Sequence, residues 1–215
     1  MEITAEQAKE LGDVLAAAAL RRGCDLRASL LAEEWLEDAF ILERGGRYGF
    51  EGHEPLRPIV ADRHPKICLM KCAQVGATTA FVGKSIWLAG VQRRTGIYFF
   101  PTDSFLQDHV KPRVYPVFAN SRYLKSLVRD KSTSNIIFRT GATLYHRGLQ
   151  APMGVHSTAA DFVVFDEIDK ADQRQAALAL ERVEHSRHPL YYYLSTPTIP
   201  GFGVGRIYDE LSDQR

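Results

Sequence analysis

Phe162-Val163-Val164-Phe165-Asp166-Glu167 decides the reading of this chain. Four large apolar residues in a row predict a strand covered on both faces, as at the centre of a parallel sheet. Two carboxylates close that strand at its C-terminal end, the edge where open α/β sheets place their ligands. Working outward, short apolar runs at 67–72, 97–100, 135–138, 142–146 and 190–194 read as further strands, and 79–89, 104–110 and 174–184 as helices. Strands interleaved with helices predict an α/β fold, a mostly parallel central sheet flanked by helices.

The strand Ile67-Cys68-Leu69-Met70 leads into Lys71-Cys72-Ala73-Gln74-Val75-Gly76-Ala77-Thr78-Thr79 and then a helix. Strand, loop, helix is the setting of a phosphate-binding loop, in which backbone N–H groups and a helix N-terminus hold the anion. The spacing meets G-x-x-x-x-G-K-[ST] only in part. Gly76 takes the second glycine position and Thr78 the Mg²⁺-binding hydroxyl, while Lys71 stands at the first glycine and Ala77 at the lysine. Alone, the segment also reads as a plain turn. About 90 residues later comes the acidic strand end. In a P-loop ATPase Asp166 would hold the Mg²⁺ shell and Glu167 would orient the attacking water; in an ordinary turn Asp169 would simply cap the next helix. Tyr191-Tyr192-Tyr193-Leu194 then reads as a strand ended by Ser195-Thr196-Pro197-Thr198. Its hydroxyls can sense a γ-phosphate and pass its loss to a neighbouring surface. The three elements in this order point to a nucleotide-hydrolysing core that takes ATP and Mg²⁺.

Composition sets the bounds. The 215 residues are 45% apolar and 25% charged, which excludes disordered and low-complexity classes. No stretch approaches the roughly 20 consecutive apolar residues of a membrane span. Cys24, Cys68 and Cys72 are sparse and odd in number, as expected of a soluble chain in the cytosol. Cys68 and Cys72 are too far apart along a strand to share a metal or a disulfide and are read as core. The formal net charge of +1 hides an acidic stretch over residues 1–60 and a basic block over 111–147, where Asp130 is the only carboxylate. That block reads either as a DNA-backbone contact or as a solvated face. His185 and His188 lack the further ligands zinc needs.

At the N-terminus, helices are expected from Ala5 to Arg22, with Leu11, Val14, Leu15 and Ala18 on the buried face, and from Arg27 to Leu42, with Leu30, Leu31, Trp35, Ala39 and Phe40 as the apolar stripe. Arg44-Gly45-Gly46-Arg47 reads as a linker. The division expected is a helical segment over 1–45 and a P-loop ATPase motor domain over 46–215.

From about Trp35 to Thr198 the chain resembles the N-terminal ATPase domain of the large terminase subunit of tailed bacteriophages, the lambda-type branch above all. The resemblance rests on Lys71-Cys72-Ala73-Gln74-Val75-Gly76, Phe100-Pro101-Thr102-Asp103, His109-Val110-Lys111-Pro112, Phe165-Asp166-Glu167 and Ser195-Thr196-Pro197. It implies a P-loop NTPase of the additional-strand, RecA-like type. Lys71 would be the phosphate-contacting lysine, which accounts for Ala77, and Gln74, Val75, Gly76, Ala77, Thr78 and Thr79 would cradle the nucleotide. Thr78 and Asp166 would hold Mg²⁺, Glu167 would orient water, and Ser195 and Thr196 would couple hydrolysis to movement. The family further implies ATP-driven translocation of double-stranded DNA into a procapsid in the host cytoplasm. A homo-oligomeric ring at the portal protein, monomeric in isolation, and a small terminase subunit complete the picture. Two departures stand out. Where the family commonly has an arginine acting on the neighbour's ATP, this chain has His156, with Arg147 or Arg139 as substitutes; and these 215 residues are expected to be the motor domain without the family's nuclease, as a fragment or a split gene product. Two rivals remain. One is a helicase-like, DNA-dependent ATPase fragment, since Asp166-Glu167-Ile168-Asp169 matches a D-E-x-D box. The other is a non-hydrolysing ring subunit with a degenerate ATP site, in which Ala77 and His156 record the loss. Tyr48, Phe50 and Arg57 fall where the family contacts adenine, although core packing is the simpler role for the two aromatics.

Overall fold

A computed structural model describes residues 4–21, 25–150 and 159–213. Seven strands form one sheet: β1 (Lys66–Met70), β2 (Gly96–Phe100), β3 (Val128–Ser132), β4 (Asn135–Phe138), β5 (Thr143–Gly148), β6 (Phe162–Asp166) and β7 (Leu190–Ser195). Their spatial order is β1-β7-β6-β2-β5-β4-β3. The first five run parallel, and β4 and β3 complete an antiparallel meander at the far edge. β7 therefore lies between the strand that feeds the loop at Lys71 and the acidic strand, which is the additional-strand arrangement. The register pairs Met70 with Ser195 and Asp166 with Leu194, so these three strands end level.

Both β2 and β6 are buried along their whole length. Alternation sends their side chains to two cores. Tyr98, Phe100, Phe162 and Val164 join the larger one, with Trp35, Leu36, Phe40, Phe81 and Phe138. Ile97, Phe99, Val163 and Phe165 join the smaller one, with Ala176, Ala179, Val204 and Ile207. Phe99, Phe165 and Tyr193 stack across three strands, with centroid separations of 5.1 and 5.4 Å. The larger core is covered by α1 (Ala5–Arg21), α2 (Ala32–Ala39), α3 (Leu56–Ala61), α4 (Ala77–Gly90), α5 (Asp103–His109), α6 (Tyr115–Asn120) and α7 (Arg122–Leu127). The smaller one is covered by α8 (Gln173–Leu180) and α9 (Gly203–Ser212).

The N-terminal helices differ from the sequence expectation. α1 buries Asp13, Ala16 and Ala17, and leaves Leu11 and Leu15 more than half exposed. The cause is a polar anchor. Asp13 accepts hydrogen bonds from Arg27 Nη1 and Ser121 Oγ, both at 2.9 Å. Arg27 also pairs with Asp38 and lies 4.5 Å over the Tyr123 ring. A buried ion pair held by further hydrogen bonds overrides the small apolar moment of an alanine-rich helix. Residues 26–29 form a turn, and α2 starts only at Ala32, where the Glu34 side chain accepts the Leu31 N–H at 3.0 Å, and ends at Ala39. Residues 44–47 are no linker. They close a tight turn, in which the Leu42 N–H donates to the Gly46 carbonyl and Ile41 bridges to Arg47. The expected helix over 174–184 stops at Leu180 and tightens into a 3₁₀ turn. After α5 the chain makes a π-helical turn, Val110–Val114, which carries Arg113.

Candidate active site

The loop after β1 is shaped by two left-handed residues, Gln74 at φ 62° and Gly76 at φ 80°. Gly76 caps α4, and the His53 ring lies 3.6 Å from where a Cβ would stand. The positive φ is what calls for glycine, since a Cβ would meet His53 only at ordinary van der Waals distance. The Lys71 N–H donates to the Ser195 carbonyl at 2.9 Å, which holds the loop's first residue against the end of β7. From there the Lys71 side chain turns back over the sheet edge. Its ammonium pairs with Glu167 Oε1 and lies 4.0 Å from Asp166 Oδ1, and the side chain is only 7% exposed.

Asp166 is buried, and its Oδ2 accepts the Tyr98 hydroxyl at 3.0 Å. Burial raises its pKa, opposed by Lys71 and by the hydroxyls of Thr78 and Tyr98. Among the described residues Oδ1 has no hydrogen-bond partner. A buried carboxylate oxygen left open beside a threonine hydroxyl is a hard, oxygen-rich corner of the kind Mg²⁺ takes, so Asp166 and Thr78 fit that ion. Glu167 adopts the left-handed region at φ 55°, ψ 45°. Such a conformation in a non-glycine residue at a cleft is strain held by its surroundings. Burial alone would raise its pKa, but Lys71 and Lys170, whose ammonium is 3.2 Å from Oε2, outweigh it and the net shift is downward. Glu167 is therefore ionised near neutral pH.

A cleft of about 770 Å³ opens over these groups, lined by Lys71, Cys72, Ala73, the whole run from Gln74 to Thr79, Glu167 and Thr196. The candidate phosphate loop, the acidic strand end and the hydroxyl-bearing exit of β7 thus meet at one place. Ser195 is fully buried behind them, and its Oγ accepts the Asp169 N–H at 3.3 Å.

Other sequence candidates fall elsewhere. Arg147 lies on β5, donating to the Ser134 and His146 carbonyls at 2.6 and 2.8 Å. Arg139 lines a second, cationic cleft of about 730 Å³ between α1, α7 and β3. Neither lines the cleft over the loop. His156 lies outside the described residues. Cys72 is exposed on the loop and not in the core. Tyr48 and Phe50 are core residues, and Arg57 stacks on Phe50 while pairing with Glu37. The cap of α8 is Asp172, not Asp169. Among the described residues no group of three His, Cys, Asp or Glu side chains could hold a further metal.

Some residues at the site went unread in the sequence. Arg44, His53, Arg113 and Lys170 all line the cleft. Tyr98 looks like one more apolar residue of a core strand, and only the strand order β6-β2 turns its hydroxyl onto Asp166. Lys170 carried a usable signal, since it stands at i+3 from Glu167 across one 3₁₀ turn.

A family model for the ATPase domain of the phage terminase large subunit gpA matches residues 52–215. The chain belongs to this family. The terminase large subunit of Enterobacteria phage P21 is 26% identical over 146 residues, which is 62% of this chain and 23% of that protein. Among solved structures, the HK97 bacteriophage large terminase superposes with a TM-score of 0.67 at 12% identity, over 86% of this chain and 41% of that one. The large terminase of the thermophilic bacteriophage D6E gives 0.51 at 17% identity, over 66% and 36%. The chain thus spans about a quarter of the curated relative and about two fifths of the solved terminases. The P-loop NTPase fold expected from the sequence is that of these terminase ATPase domains. No described helix is long and apolar enough to cross a membrane.

Proposed function

We propose that this terminase domain is an ATP hydrolase that powers translocation of double-stranded DNA into a procapsid in the host cytoplasm. The observation that carries the reading is Lys71. From the first position of the loop it reaches Glu167 and Asp166, where a transferred phosphoryl group would gather negative charge. This ammonium supplies the cation that Ala77 cannot. The backbone from Gln74 to Thr79 and the N-terminus of α4 would cradle the phosphates. Asp166 and Thr78 would hold Mg²⁺, which when bound neutralises phosphate charge. Phosphate oxygens arriving in the cleft compete with Glu167 for Lys71, and the released carboxylate is then free to orient water. Ser195 and Thr196 would register the loss of the γ-phosphate.

Arg139 and Arg147 stand outside the chain's own cleft, as a group acting on a neighbour's nucleotide must, and His156 holds the family's position for that role. The working form would be a homo-oligomeric ring at the portal protein, supplied with DNA by a small terminase subunit and monomeric in isolation. The cations of the second cleft, Arg129 and Lys131 among them, suit a DNA backbone.

The test is Glu167→Gln, assayed for Mg·ATP binding by equilibrium dialysis and for steady-state hydrolysis with and without DNA. Binding is expected to stay within a few-fold while turnover falls roughly 100-fold or more. Equal loss of both would make Glu167 a structural carboxylate. A wild-type chain that binds Mg·ATP without turning it over, even when assembled with portal, would be a non-hydrolysing ring member.

A further inference from the structure

Asp169 has no local duty, since Asp172 caps the following helix. Instead its N–H and both carboxylate oxygens engage one distant segment. Its N–H donates to Ser195 Oγ at 3.3 Å. Its Oδ2 accepts the Thr198 N–H at 2.9 Å and the Thr198 hydroxyl at 3.0 Å. Its Oδ1 accepts the Val204 N–H, in the first turn of α9, at 2.8 Å. The carboxylate is buried and sits so close to α9 that a Cβ on Gly203, itself at φ 52°, would lie 2.3 Å from Oδ1. The turn is built around this oxygen, and only glycine leaves it room.

Asp169 belongs to the single 3₁₀ turn, Ile168–Lys170, that follows the left-handed Glu167. Ile168 and Asp169 are both buried, so this short turn is packed into the molecule directly after Glu167. On the other side, Thr196 lines the nucleotide cleft, and the next residues run exposed, with Ile199 and Phe202 showing apolar surface. α9 then packs on β1, the strand that feeds the phosphate loop.

We infer that Asp169 is a positioning residue that ties the Asp166–Glu167 turn to the 196–204 segment, making the start of α9 the mechanical output of the site. A shift of Glu167 when nucleotide takes Lys71 would pass through Asp169 into Thr198 and Val204. This rests on the ATP-binding reading above. The exposed Ile199 and Phe202 would present the displacement to a neighbouring protein.

Amide hydrogen exchange of the 215-residue chain, with and without Mg²⁺ and a non-hydrolysable ATP analogue, tests both levels at once. Exchange across 71–79 reports nucleotide binding, and exchange across 203–208, which makes no contact with the cleft, reports transmission. In the wild type both stretches are expected to slow, the second by at least about fivefold. Asp169→Asn keeps the volume but cannot accept on both sides. It should leave the 71–79 response intact and bring the 203–208 response to within about twofold of none. A wild type protected at 71–79 but unchanged at 203–208 overturns the inference, as does an Asp169→Asn response equal to wild type. No protection at 71–79 overturns the ATP-binding reading and this one with it. Should Asp169→Asn fail to fold, Thr198→Val on the exposed segment decides: a reduced 203–208 response supports transmission and an undiminished one overturns it.

Discussion

Removing the Lys71 ammonium is the perturbation that separates a catalytic lysine from a structural one. In Lys71→Ala, Glu167 keeps Lys170 at 3.2 Å, but Asp166 loses the nearest positive charge, 4.0 Å away. Breaking a buried pair by truncating one partner costs about 3–5 kcal/mol. The surviving Lys170 contact and the partial exposure of Glu167 argue for the lower part of that range or below, roughly 2–3 kcal/mol. For a domain of this size that lowers the Tm by about 5–10 °C at neutral pH. The loss has a signature that a packing defect lacks. It comes from carboxylates left uncompensated, so adding Glu167→Gln to Lys71→Ala should recover part of the stability in a double-mutant cycle. Lowering the pH toward the carboxylate range should shrink the penalty too, because Asp166, already raised by burial, protonates first. The assays are thermal melts without nucleotide at two pH values, Mg·ATP binding, and hydrolysis. Lys71→Ala should lose hydrolysis and most Mg·ATP affinity, and Ala77→Lys in that background should restore part of both by rebuilding the ordinary lysine position. A variant that hydrolyses ATP like the wild type would falsify the assignment of this loop.

Three further outcomes follow from particular side chains. Tyr98→Phe removes the hydroxyl that donates to Asp166 Oδ2, and should cost about 1–3 kcal/mol in chemical denaturation while weakening Mg²⁺-dependent nucleotide binding more than Mg²⁺-independent binding. Lys84 on α4 is buried, and burial lowers its pKa to about 8, against an ordinary 10.5. The unfolded chain then binds more protons between those values, so this group makes stability rise with pH from about 8 upward. The Lys84→Met variant should lack that rise relative to wild type, and equal pH–stability curves would refute it. Arg129→Glu with Lys131→Glu reverses two cations of the second cleft that have no carboxylate within 4 Å among the described residues. If they touch DNA phosphates, the slope of log affinity against log salt should fall by roughly 2, and an unchanged slope would mark this face as merely solvated.

What was legible in the residues was local. Strand β6 could be read because a continuous apolar run ending in Asp166-Glu167 has a single comfortable place in an α/β sheet. The loop at Gly76 could be read because a left-handed turn before a helix demands a small residue. The order of loop, acidic strand and hydroxyl exit points to one nucleotide-hydrolysing core, and the ends of the three strands that carry them lie level in the sheet. α1 was misread for the complementary reason. Its leucines fit a helical stripe, but the helix turns inward the face that carries Asp13, because Arg27 and Ser121 wait there.

Sequence by itself determined six of the seven strands, the turn at Gly76 and the acids, since each rests on periodicity and backbone preference within a few residues; β3, largely exposed, has no apolar run to mark it. Only the tertiary structure decided that Lys71 meets Glu167, 96 residues away, that Tyr98 donates to Asp166, 68 away, and that Asp169 gathers Thr198 and Val204 instead of capping its own helix. These contacts depend on strand order and register, which place β7 between β1 and β6 and bring their ends level. A short polar side chain carries no period from which such a partner could be inferred; it pairs with whatever the sheet sets within about 3 Å of it.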